Sequence, residues 1–125
     1  MRFSSSLNST TMLILNMMEN FEQFVNEHSI DDNLLYNSNA LCGECGEVAN
    51  VIKKIEIRNR LNSSDVISMR TMDEYNENLV EELGDSLFYL VKIANKLGIT
   101  LDDIMKNQYN KLTNQDIKHG RVFKK

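Results

Sequence analysis

Leu79, Leu83, Leu87, Leu90, Ala94 and Leu97 recur three and four residues apart along an unbroken stretch that ends at Gly98. On a helix of 3.6 residues per turn this spacing gathers them on one side, and a glycine just past the last of them supplies the left-handed residue on which helices commonly close. A strand, with its period of two, would scatter the same leucines over both faces. The stretch therefore reads as a helix with one face to bury, and the rest of the chain must supply its cover.

That cover also reads as helical. The 125 residues hold no proline and only five glycines, too few turn-makers for a sandwich of many short strands, and a composition 42% hydrophobic and 26% charged fits one domain with a modest core. Met17, Phe21, Phe24 and Val25 predict a helix over 17–28, broken at Asp31-Asp32-Asn33. A second helix is expected from Ser38 or Asn39 through Ala40, Leu41, Val48, Val51, Ile52 and Ile55 to about Arg58. Gly43 and Gly46 inside it together cost on the order of 1–2 kcal/mol relative to alanine, which predicts close approach of another helix. Residues 59–71 read as a polar connection. Thr100 predicts the cap of a fourth helix, with Asp102 and Asp103 in its first turn and Ile104, Met105, Tyr109 and Leu112 behind.

The expected fold is all-α, a four-helix-bundle-like protomer, with the folded domain over 17–115. Residues 1–16, rich in Ser, Thr and Asn with Arg2 and no acid, predict a flexible tail in preference to an organelle-targeting segment. Residues 116–125 predict a basic tail.

A net charge of −4 argues against broad electrostatic binding to a nucleic acid polymer. Near the N-terminus the longest apolar run, 12–15, falls far short of the roughly 18 residues a membrane span requires. Two cysteines make no disulfide framework, which favours a reducing, cytoplasmic setting. Cys42 and Cys45 have the two-residue gap of redox and zinc motifs, but His28 and His119 are the only histidines, so two small cysteines filling the core are the better reading.

The acids are less ordinary. Glu44 and Glu47 lie about 60° apart on neighbouring turns, and Glu44 falls within about 40° of Ala40, Val48, Val51 and Ile55, inside the apolar stripe. The next long helix repeats the spacing with Glu82 and Asp85, and Glu82 shares its line with Tyr75, Tyr89 and Ile93. If these helices pack antiparallel, four carboxylates converge where uncompensated charge costs several kcal/mol each. Hard divalent cations select oxygen ligands, and magnesium in particular combines a few carboxylates with water and substrate phosphates.

Leu41-Cys42-Gly43-Glu44-Cys45-Gly46-Glu47-Val48, followed by Glu81-Glu82-Leu83-Gly84-Asp85-Ser86-Leu87-Phe88-Tyr89-Leu90, resembles the paired-acid and Glu-x-x-Asp motifs of the MazG-like nucleoside triphosphate pyrophosphohydrolases, relatives of the dCTP and dUTP pyrophosphatases. The resemblance extends over roughly 17–115. It implies an all-α fold assembling as dimers or dimers of dimers, with cleavage of a (deoxy)nucleoside triphosphate to monophosphate and pyrophosphate. By motif position it implies Glu44, Glu47, Glu82 and Asp85 as ligands of magnesium, for which manganese can substitute, Tyr89 as part of the nucleotide pocket and Lys111 as a phosphate contact. Two departures stand out: Gly43 sits where relatives often carry an acid, and Gln115 where they carry an arginine, a charge that Lys118, His119 or Arg121 would have to replace.

The reaction is physically coherent. Carboxylate-held magnesium polarises phosphoryl oxygens, lowers the pKa of a bound water that attacks the α-phosphate and offsets charge on the leaving pyrophosphate. Lys54, about 10 Å along the second helix on the Glu47 side, is a further candidate phosphate contact. Arg58, Arg60 and Arg70 bracket the polar connection and are left outside the site as solvated charges. A metal-dependent redox bundle is disfavoured because the chain lacks the Glu-x-x-His pairs of di-iron proteins. The competing reading is a non-catalytic helical adaptor or dimerisation module whose acids pair with lysines of a partner helix. Base and sugar preference, the number of ions, the general base and the biological role are not encoded in these patterns, although Tyr36 is a candidate to frame a base.

Overall fold

A computed structural model describes residues 8–28, 33–61 and 70–119. Within them the chain is all-α: α1 spans Ser9–Glu27, α2 Leu34–Arg60, α3 Met72–Lys96 and α4 Leu101–His119, with no strand among the described residues.

Helix starts are set by side-chain caps. Asn8 accepts from the Thr11 amide at 2.8 Å, so α1 begins at Ser9 and half of the tail expected over 1–16 is helical; residues 1–7 lie outside the described part. Asn33 accepts from the Leu35 and Tyr36 amides at 2.9 and 3.1 Å. The break expected at Asp31-Asp32-Asn33 is thus real, but Asn33 itself opens α2, five residues ahead of the expected start. The Thr71 hydroxyl accepts from Glu74 N at 3.2 Å and caps α3. Residues 62–69 of the predicted connection lie outside the described residues, as do 120–125 of the expected basic tail, and α4 runs through 116–119.

The C-terminal end of α3 follows the sequence closely. Gly98 has φ +76°, and Ile99 N returns to the Ala94 carbonyl at 2.8 Å while Gly98 N reaches Asn95 O at 3.1 Å, a left-handed closure that only glycine adopts at no steric cost. Thr100 then caps α4 reciprocally: its hydroxyl accepts from Asp103 N at 3.1 Å, and its own amide donates to Asp103 Oδ2 at 3.2 Å.

Two compact units divide the chain, one of residues 1–28 and 94–125, the other of 29–93. In the first, Val25 and Ala94 are buried, and Glu22 Oε2 accepts from Leu101 N at 3.3 Å, tying α1 to the start of α4. In the second, α2 and α3 run antiparallel. Arg58, late in α2, donates to the carbonyl of Arg70 just before α3 at 3.0 Å, whereas Glu44, midway along α2, meets Glu82 and Asp85. Val51, Tyr75 and Val91 form the buried apolar positions of this unit, with Asn37 and Lys92 buried beside them.

The leucine stripe of α3 departs from expectation. Leu83, Leu87, Leu90 and Leu97 are exposed, Val80 is 69% exposed, and the buried positions of the helix are Tyr75, Val91, Lys92 and Ala94. One chain therefore covers α3 along a line rotated away from the leucines. The close approach predicted at the α2 glycines is likewise not seen: a Cβ at Gly43 or Gly46 would find nothing within 4 Å among the described residues.

Candidate metal centre

The acidic centre belongs to the unit of residues 29–93. A 60° step per three residues keeps Glu82 and Asp85 on adjacent turns of α3, and the antiparallel run of α2 sets Glu44 opposite both. One carboxylate oxygen from each of Glu44, Glu82 and Asp85 can be chosen such that all lie within 4.8 Å of one another. Glu44 and Glu82 are half-buried and Asp85 is exposed.

Removal from water pushes the Glu44 carboxyl pKa up, and the Asp85 carboxylate, a hydrogen bond with Glu82 and the charges of Glu82 and Glu47 push it the same way. Every cause has the same sign. The centre thus concentrates negative charge, the electrostatic condition that a divalent ion relieves. Three oxygen donors and no nitrogen or sulfur form a hard-ligand set suited to magnesium or manganese rather than zinc.

The other expected site residues divide. Glu47 is exposed and stands outside the three-carboxylate cluster, although its charge acts on Glu44. Tyr89, one turn beyond Asp85, is half-buried. Burial raises its hydroxyl pKa, with further upward contributions from Tyr36, Glu44 and Asp85, so all three lie within electrostatic range of Tyr89. Lys54 is exposed on α2, and Lys111 is exposed on α4 in the other unit. The side chain of His119 and all of Arg121 are outside the described residues.

One expectation requires correction. Cys42 and Cys45 are free and exposed, not core-filling: they fall about 100–160° around α2 from Glu44, on the side turned from the apolar stripe. Arg70 is exposed, yet its carbonyl accepts from Arg58 Nε and its guanidinium reaches Asn78, which in turn donates to Glu82. No sequence periodicity marks this connection, because Arg70 precedes α3 and Asn78 lies one turn ahead of the acid motif.

A profile of the MazG nucleotide pyrophosphohydrolase domain matches residues 33–119. The chain belongs to this family. The match opens at the cap of α2 and takes in every member of the acidic cluster. Within the MazG family's domain, the chain is similar to the Gene 37 protein of Mycobacterium phage L5, 36% identical over 81 residues that cover 65% of this chain and 64% of that protein. It is also similar to the Uncharacterized protein YvdC of Bacillus subtilis (strain 168), 35% identical over 74 residues covering 58% and 66% respectively. The matched segments thus span just under two thirds of these curated relatives. No solved structure matches the chain. Its MazG domain is of the nucleotide pyrophosphohydrolase type, a hydrolase class, and among the described residues no helix is long and apolar enough to cross a membrane.

Proposed function

We propose that the protein is a magnesium-dependent nucleoside triphosphate pyrophosphohydrolase, cleaving a (deoxy)nucleoside triphosphate to monophosphate and pyrophosphate by attack of water at the α-phosphate. The observation that carries this reading is the convergence of Glu44, Glu82 and Asp85 within 4.8 Å in a MazG domain.

In this reading Glu44, Glu82 and Asp85 would hold the cation, with Glu47, one turn along α2, as a fourth ligand. A cation held there supplies Lewis-acid polarisation of the phosphoryl oxygens and activates water as a nucleophile. Tyr89 and Tyr36 line the nucleoside end, where an apolar ring face with a polar tip suits a base or sugar. Lys54, exposed on α2 of the same unit as the acids, is a candidate phosphate contact, and Lys111 is the one that the family resemblance implies.

The protein is further proposed to work as a homodimer or dimer of dimers in the cytoplasm, with a nucleotide as its substrate and no nucleic acid polymer or membrane as partner. Val80, Leu83, Leu87 and Leu90 support the assembly: they are exposed at three- and four-residue spacing on α3, an apolar row that a second chain would cover.

The deciding experiment incubates the purified protein with a panel of nucleoside triphosphates and magnesium and resolves the products. Monophosphate and pyrophosphate are expected; orthophosphate as the first product, or no turnover of any nucleotide, overturns the reading.

A further inference from the structure

Glu82 also has a partner on its own helix. Asn78, one turn earlier on α3, donates from Nδ2 to Glu82 Oε1 at 3.4 Å, and Asn78 Oδ1 accepts from Arg70 Nη1 at 3.5 Å. Arg70 is in turn fixed at its backbone, where the carbonyl accepts from Arg58 Nε at 3.0 Å. A guanidinium can only donate. It therefore dictates which end of the Asn78 amide faces it, and turns the NH2 group toward the carboxylate. A carboxylate has two oxygens, so one can be tied to Asn78 while the other serves the cluster.

Arg70 is poorly suited to gripping the phosphate chain itself. It lines a hollow of about 560 Å³ together with Glu74, Glu77, Asn78 and Glu81, and three carboxylates against one guanidinium repel a polyanion. The arginine's geometric connection to the centre runs through the amide.

We propose that Asn78 and Arg70 are positioning residues of the metal centre: Arg70 orients the Asn78 amide, and Asn78 holds Glu82 in the rotamer that meets Glu44 and Asp85. This rests on the proposed metal-dependent function and adds two residues that lie outside its acid motifs. Partners behind the ligands of a metal ion fix their orientation, and losing one costs about 10- to 100-fold in affinity.

The test measures manganese binding by electron paramagnetic resonance, independently of turnover, in the wild type, Asn78→Ala, Arg70→Ala, Arg70→Lys and the Asn78→Ala/Arg70→Ala double variant. Asn78→Ala should weaken binding about 10- to 100-fold, Arg70→Ala by less, and Arg70→Lys, which keeps a donor toward Asn78, should restore most of the loss. The double variant should bind no more weakly than Asn78→Ala alone, because Arg70 acts through the amide. Additive losses overturn the relay, as does unchanged affinity in Arg70→Ala, an exposed position whose truncation leaves the helices intact. A wild type that binds manganese and hydrolyses nucleotides while Asn78→Ala binds as tightly overturns this inference alone; a wild type that does neither overturns the functional reading with it.

Discussion

Glu44 on α2 and Glu82 on α3 present carboxylate oxygens within 4.8 Å of each other. The helix pair thus brings together groups that repel when both are ionised, and the repulsion is a property of the packed chain, since the unfolded chain leaves both in water.

The sign of the resulting pH dependence follows. The Glu44 pKa is raised in the folded chain, so the native state binds the proton more tightly than the unfolded state. The associated stability is complete below the ordinary carboxylate range and is lost as pH rises through the raised value. Melts of the protein in chelator should show the midpoint falling over that window. Glu44→Gln should flatten this dependence and melt a few degrees higher at neutral pH; a Glu44→Gln midpoint that follows the wild type at every pH contradicts the assignment.

Magnesium should reverse the cost. A ligand that binds only the native state contributes about 2.7 kcal/mol at a hundred times its Kd, a rise of several degrees in Tm for a chain of this size. The same titration on Glu44→Gln should give a much smaller rise. An unshifted wild-type midpoint at millimolar magnesium would favour the adaptor reading.

Asp85→Ala should lower kcat/KM by about 100-fold or more, since a lost ligand removes several kcal/mol of transition-state stabilisation, with helical circular dichroism unchanged because Asp85 is exposed. Glu47→Ala should also lower kcat/KM but weaken manganese binding less than Asp85→Ala, because its carboxylate stands outside the three-oxygen cluster. Equal losses of manganese affinity in the two variants would show that Glu47 is as firmly held a ligand as Asp85.

Thr100 and Asp103 offer a test remote from the acidic centre. The Thr100 amide and hydroxyl hold the Asp103 carboxyl pKa below its usual value, so their contribution is present above the ordinary carboxylate range and lost as pH falls through the lowered one. Thr100→Ala should destabilise the chain by about 1 kcal/mol at neutral pH and by less in acid. A penalty independent of pH would mean that the reciprocal cap does not form in solution.

Both thiols should react with an aromatic disulfide reagent in the native protein, two equivalents per chain without denaturant, because Cys42 and Cys45 are exposed. Labelling that appears only on unfolding would return them to the core.

Local chemistry along the chain settles its helices. The three- and four-residue spacing before Gly98, the Thr100 and Asp103 pair and the two acid motifs are each complete within a few turns, so the sequence alone determines the α3 terminus, the α4 cap and the family. It is less decisive where several polar residues compete for one start: Asn33, Ser38 and Asn39 can all cap, and only the folded chain selects Asn33. Periodicity reports which face of a helix is apolar, not which neighbour covers it or how far two rods are rotated about their axes. Tertiary structure therefore decided that Glu44 meets Glu82 and Asp85 while Glu47 stands aside, that Leu83 and Leu87 remain uncovered in one chain, and that Cys42 and Cys45 face out. It also decided that Arg70 and Asn78 reach Glu82, a link between a residue ahead of α3 and a side chain three turns along it, which no repeat in the sequence spells out.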